Sequence, residues 1–158
     1  MGRVQIGVIG RGEADNKLYQ LAKEVGREIA RAGAVLICGG LGGVMEACAK
    51  GAKKQGGITV GILPGMDKDE ANEFIDIKIV TAMSHARNAI IARSADALIA
   101  VGGEFGTLSE IALGLKMGRP VVILEGTFPE MPIISEKVLT AKTPREAVTL
   151  ALNSTRTA

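Results

Sequence analysis

Ala97-Leu98-Ile99-Ala100-Val101-Gly102-Gly103-Glu104-Phe105-Gly106-Thr107-Leu108-Ser109-Glu110 is the stretch whose reading decides the fold. Five uncharged apolar residues read as a buried strand, glycines break it, and a helix follows that should end near Gly118, just before Pro120. The same order occurs at residues 4–9, where a strand meets Gly10-Arg11-Gly12 and then Leu18, Leu21, Ala22, Val25 and Ile29 at helical spacing, with Asp15 as cap and Gly33 as stop. It occurs again at residues 34–38, followed by Gly39-Gly40-Leu41-Gly42-Gly43 and a small-residue helix over 44–55. Strands alternating with helices in this way predict an α/β domain with a mostly parallel sheet and helices on both faces.

Working outward, further strands are expected at 58–63, at 75–79 and at 121–124. The alternation Ile75-Asp76-Ile77-Lys78-Ile79 marks an outer, half-exposed strand. A helix is expected from Ser84 or His85 to Arg93, and residues 126–132 form the longest irregular loop. Thr143-Pro144-Arg145-Glu146 combines an N-cap, a proline at the first helical position and a glutamate at the third, so it should open the last helix. The chain therefore divides into one domain over 1–153 and a frayed tail over 154–158.

Composition narrows the function. The 158 residues fit one domain, and 19 Lys plus Arg against 17 Asp plus Glu leave a scattered net charge of +2. That balance and only four aromatic residues argue against nucleic-acid or membrane partners. No segment has the length of a signal peptide or a membrane span, so a cytoplasmic location is expected. Cys38 and Cys48 lack metal-ligand spacing and are expected to be packing residues with ordinary thiols; no metal is expected. The 21 glycines are the unusual feature, being concentrated at turns.

Three of those turns follow strands and precede helices, so they share the sheet edge where helix N-termini offer unpaired N–H groups to anions. A phosphorylated small molecule is the natural guest. The dinucleotide fingerprint fails because Gly10-Arg11-Gly12 is followed by Asp15 where its third glycine belongs, and no P-loop motif occurs. Arg11 between its glycines is a phosphate-contact candidate. Glu46 could meet a ligand hydroxyl or cap its helix. Arg87, near a helix start, opposes the helix dipole unless an anion compensates, or is an exposed helix arginine. Thr107-Leu108-Ser109-Glu110 also has the form of a capping box, which would turn Glu110 back to the Thr107 N–H. His85 is expected to cap or to hydrogen-bond, with no triad in view.

Residues 38–47 (Cys38-Gly39-Gly40-Leu41-Gly42-Gly43-Val44-Met45-Glu46-Ala47), Ala86-Arg87-Asn88-Ala89 and residues 102–110 together resemble the LOG-like (SLOG) superfamily over nearly the whole chain. That superfamily includes nucleoside 5′-monophosphate phosphoribohydrolases, molybdenum cofactor carrier proteins and proteins once labelled lysine decarboxylases. The resemblance implies a Rossmann-like domain and a homodimer or higher oligomer with a helix-lined interface beside the site. It implies catalytic roles for Arg87 and Glu110 in an enzyme. It also places the phosphate at the glycine loop, and together with the reading of the turns the ligand candidates are Gly10, Arg11, Gly39, Gly40, Gly42, Gly43, Glu46, Gly102, Gly103, Glu104, Phe105, Gly106 and Thr107. The hydrolase motif PGGxGTxxE is altered here: Val101 replaces its proline, Glu104-Phe105 puts two residues where it has one, and Asn88 replaces a lysine after the arginine. These departures resemble the carrier-type branch. The expected function is thus binding or carriage of a phosphorylated, nucleotide-like molecule such as molybdenum cofactor or a nucleoside monophosphate, with no required cofactor. Phosphoribohydrolase activity is the alternative. Lysine decarboxylation would need a pyridoxal phosphate lysine, for which the chain offers no candidate.

Overall fold

Strand β1 (Gln5–Gly10) lies at the centre of the sheet, because Ile6, Val8 and Ile9 are apolar on both faces and helices cover each. In the computed structural model, which describes residues 2–129, 134 and 136–156, it is followed by α1 (Asn16–Arg31), β2 (Val35–Cys38), α2 (Val44–Lys54) and β3 (Thr59–Leu63). Then come β4 (Ile77–Val80), α3 (Asn88–Ser94), β5 (Ala97–Val101), α4 (Phe105–Lys116), β6 (Val121–Leu124), β7 (Leu139–Ala141) and α5 (Pro144–Thr155). All strand pairs are parallel in the order β4-β3-β2-β1-β5-β6-β7, the Rossmann-like arrangement expected.

The helices divide between the faces. Helices α1, α2 and α5 share one core with Val8, Leu36 and Ile99, while α3 and α4 share the other with Ile9, Ile37 and Leu98. Close packing of α1 on α2 depends on Gly26 and Gly51, where an added Cβ would meet the backbone carbonyls of Cys48 and Lys23. Both predicted side-chain caps form: Asp15 accepts from Leu18 N–H at 2.8 Å, and Thr143 from Glu146 N–H at 3.2 Å. Glu146 returns to the Lys142 N–H at 2.8 Å, one residue outside the usual box.

Several boundaries differ from expectation. Ile75 is buried and Asp76 leaves the strand to accept from Thr59 N–H and Lys53, so β4 starts at Ile77 and presents Ile77 and Ile79 outward on the sheet edge. A helix does not begin at Ser84: Ala82 and Ser84 have φ of 53° and 51°, and residues 84–87 form a single 3-10 turn before α3. Strand β7 carries only three residues and no sequence signal. Ser154 and Thr155, expected in the tail, are helical; residues 157–158 and the loop positions 130–132 lie outside the described residues.

Strand order reverses between β1 and β5, so their following turns diverge from a common point. Gly10 pairs with Val101 at that point. A crevice outside the carboxyl ends of the strands opens there, as the topology of open α/β sheets requires.

Candidate ligand-binding cleft

The crevice is a cleft of about 170 Å³ whose walls come from the turns after β1, β2 and β5 and from residues 85–88. Of the sequence-derived residues, Gly10, Arg11, Gly39, Arg87, Glu104, Gly106, Thr107 and Glu110 line it. Gly12, Met45, His85 and Asn88 line it as well. Gly40, Gly42, Gly43, Glu46, Gly102, Gly103 and Phe105 do not.

Those seven sit behind or beside the cleft. Gly40 packs against Leu63 and Gly61, Gly42 and Gly43 against the Arg11-Gly12 backbone, Gly102 against Leu18, and Gly103 beneath the Phe128 ring. The first N–H of α2, on Val44, donates to the Arg11 carbonyl at 2.9 Å and so holds the neighbouring turn. Glu46 accepts from the Tyr19 hydroxyl at 2.9 Å; burial and this carboxylate push the tyrosine up to about 12. Phe105 stands almost wholly in solvent.

Glu110 does not close a capping box. Helix α4 starts at Phe105, two residues before Thr107, which places Glu110 in the second turn, buried and facing the cleft. Burial pushes its carboxyl up to about 8, against the opposing pull of Arg87. It is therefore protonated at neutral pH and can donate a hydrogen bond. Glu104 occupies the N-cap position without a side-chain cap bond, and the first helical bond runs from Leu108 N–H to the Glu104 carbonyl at 2.9 Å. The N–H groups of residues 105–107 thus have no partner within the helix.

Arg87 is not an exposed helix arginine; it is 8% exposed. Its guanidinium lies against Gly39, where any Cβ would collide with it, so this glycine makes room for a side chain. Burial lowers its pKa, and Glu110 and Cys38 oppose that shift only when they are ionised. Its Nε has no hydrogen-bond partner among the described residues. An unmet buried donor costs ~1–3 kcal/mol, more when charged, and an anion in the cleft would remove that cost.

Around Arg87, Asn88 donates to Ser109 Oγ at 3.3 Å, which in turn donates to the Gly106 carbonyl at 2.6 Å. His85 is exposed at the rim and makes no cap. Cys38 and Cys48 are free and buried in the core, the packing positions expected, but their thiols are not alike. Cys48 beside it, the Gly40 N–H and Arg87 draw the Cys38 thiol below its usual range despite burial, whereas burial pushes Cys48 up. Cys38 was hard to read because its neighbours come from separate elements.

Glycine turns at the β1–β5 switch point thus enclose a cleft that holds a buried arginine and faces the uncapped start of α4. A family model for the SLOG cluster4 family matches residues 3–156. The chain belongs to that family. Its structure is similar to that of the molybdenum cofactor binding protein from Rippkaea orientalis, with a TM-score of 0.89, 38% identity and 98% of each chain covered. It is also similar to the molybdenum cofactor carrier protein of Chlamydomonas reinhardtii, at a TM-score of 0.85, 35% identity and 99% and 100% coverage. A more distant relative is a cytokinin riboside 5′-monophosphate phosphoribohydrolase of Rhodococcoides fascians, 33% identical over 138 residues, 80% of this chain and 67% of that one. Among the described residues, no cluster of His, Cys, Asp and Glu could hold a metal ion and no helix is long and apolar enough to cross a membrane.

Proposed function

We propose that this SLOG protein binds and carries a phosphorylated, nucleotide-like small molecule, molybdenum cofactor being one such cargo. The carrying observation is Arg87, a buried cation with an unpartnered Nε lining the cleft. A phosphate there would accept from the guanidinium and from the free N–H groups of α4, and both bond types are strengthened by its charge. Protonated Glu110 would donate to a further oxygen of the same group. The similarity to molybdenum cofactor binding and carrier proteins supports this reading. The apolar positions Phe105, Leu108 and Ala112 on the outer side of α4 support assembly into a dimer or higher oligomer.

Phosphoribohydrolase activity is the second reading, supported by the protonated Glu110 next to Arg87. N-glycosidic cleavage proceeds through oxocarbenium-like charge, which a neighbouring carboxyl could manage. Titration calorimetry with molybdenum cofactor and nucleoside 5′-monophosphates, alongside chromatography for free base, separates the two. Binding without base release is expected. Base release by wild type that disappears in Glu110→Gln would replace the carrier reading with the enzyme, and absence of any binding would defeat both.

A further inference from the structure

Arg11 and Glu104 meet across the mouth of the cleft. Arg11 Nη2 donates to Glu104 Oε1 at 2.8 Å, joining two turns 93 residues apart in sequence. The pair lines the inner cleft and also a second, outer cavity of about 350 Å³ formed by Arg11, Gly12, Glu13 and Glu104. Arg11, Gly12 and Glu104 line both spaces, so the ion pair lies where the two meet. The inner space alone falls below the ~300–1,000 Å³ of ordinary small-molecule sites, so a larger ligand must extend past the ion pair into the outer one.

We infer that the Arg11–Glu104 ion pair is a gate that must open before a ligand larger than phosphate can be seated, which rests on the phosphate site proposed above. Three features suit it to that task. Both side chains are substantially exposed, at 49% and 69%, so the pair is weak and screened by salt. Glu104 makes no cap bond to α4, so helix stability does not hold it in place. Glycines at 10 and 12 and at 102 and 103 flank the two arms in sequence. Glu104 also belongs to the two-residue departure from the hydrolase motif, which makes the gate a specificity element of this chain.

A closed gate lowers the fraction of protein competent for a large ligand and weakens its apparent affinity by that fraction. Inorganic phosphate fits the inner cleft with the gate closed, so its affinity carries no gating contribution and is the reference against which the local charge change at Arg11 or Glu104 is read. The test is calorimetry with inorganic phosphate and adenosine 5′-monophosphate on wild type, Glu104→Gln and Arg11→Gln, with Arg87→Met as the control for the phosphate site. The gate predicts that the affinity ratio of nucleotide to phosphate rises roughly two- to fivefold in both gate variants, the range an exposed ion pair allows. Simple charge effects would instead raise both affinities in Glu104→Gln and lower both in Arg11→Gln, leaving the ratio unchanged. An unchanged ratio, or a rise in only one variant, overturns the gate while Arg87-dependent phosphate binding keeps the proposed function. No binding of either probe to any form overturns both.

Discussion

Glu110 ties the cleft to the stability of the whole chain through its proton. A carboxyl raised from 4.5 to about 8 holds its proton more tightly folded than unfolded. The resulting stability is complete below pH 4.5 and is lost as pH rises through 8, by an amount of order 2–5 kcal/mol. Ligand-free wild type should therefore show a Tm that falls between pH 5 and 8, while Glu110→Gln should be flat and the more stable of the two at pH 8. A wild-type Tm constant over that range would mean the carboxyl is not held protonated. Arg87→Met should likewise leave the ligand-free fold as stable or more so, because it removes an unmet buried donor, yet weaken phosphate binding by ~10–100-fold. Equal phosphate affinity in calorimetry would dismiss Arg87 as the anchor. Neither state was legible in the sequence. The local pattern offers Glu110 as a capping residue beside the site role the resemblance implies, because Gly106 disguises the start of α4 at Phe105, and the burial of Arg87 depends on a glycine 48 positions earlier.

At the scale of elements, the Thr-x-x-Glu pattern has two outcomes. At Thr143 it is a cap, and Thr143→Ala should cost ~1 kcal/mol in denaturant unfolding. At Thr107 the side chain is buried inside the helix and caps nothing. The pattern is local, but whether it marks a helix start depends on where the preceding turn releases the chain. The segment before Arg87 makes a similar point. Ala82 and Ser84 are left-handed, and their N–H groups donate to the Gly65 and Pro64 carbonyls at 2.8 and 2.9 Å, which ties the segment to the end of β3 and delivers Arg87 to the cleft. No propensity favours alanine or serine in that conformation, so the sequence reads as helix. Ser84→Gly should raise stability by up to ~1 kcal/mol, and a loss of stability in chemical denaturation would show that the turn carries no strain.

The whole molecule was the more legible level, since repeated strand–glycine–helix units leave few arrangements for a parallel sheet. The switch point between β1 and β5 then places three glycine turns at one edge whatever their individual roles. What sequence periodicity leaves open is the outer surface of α4. Its inner side, with Thr107, Glu110, Ile111 and Gly114, is buried and Leu115 packs beside it, yet Phe105, Leu108 and Ala112 continue apolar character around the helix toward solvent. A helix apolar on nearly all sides is normally covered on nearly all sides. A second copy of the chain is the simplest cover, and it would bring each cleft beside a subunit boundary through the N-terminus of α4. Light scattering should accordingly give a mass that is a multiple of 16.4 kDa. Ala112→Glu places a charge on the exposed part of this stripe without touching the core, so it should yield folded monomer with an unaltered circular dichroism spectrum. An assembly that survives the substitution would move the interface elsewhere, to surfaces such as the β4 edge where Ile77 and Ile79 are exposed.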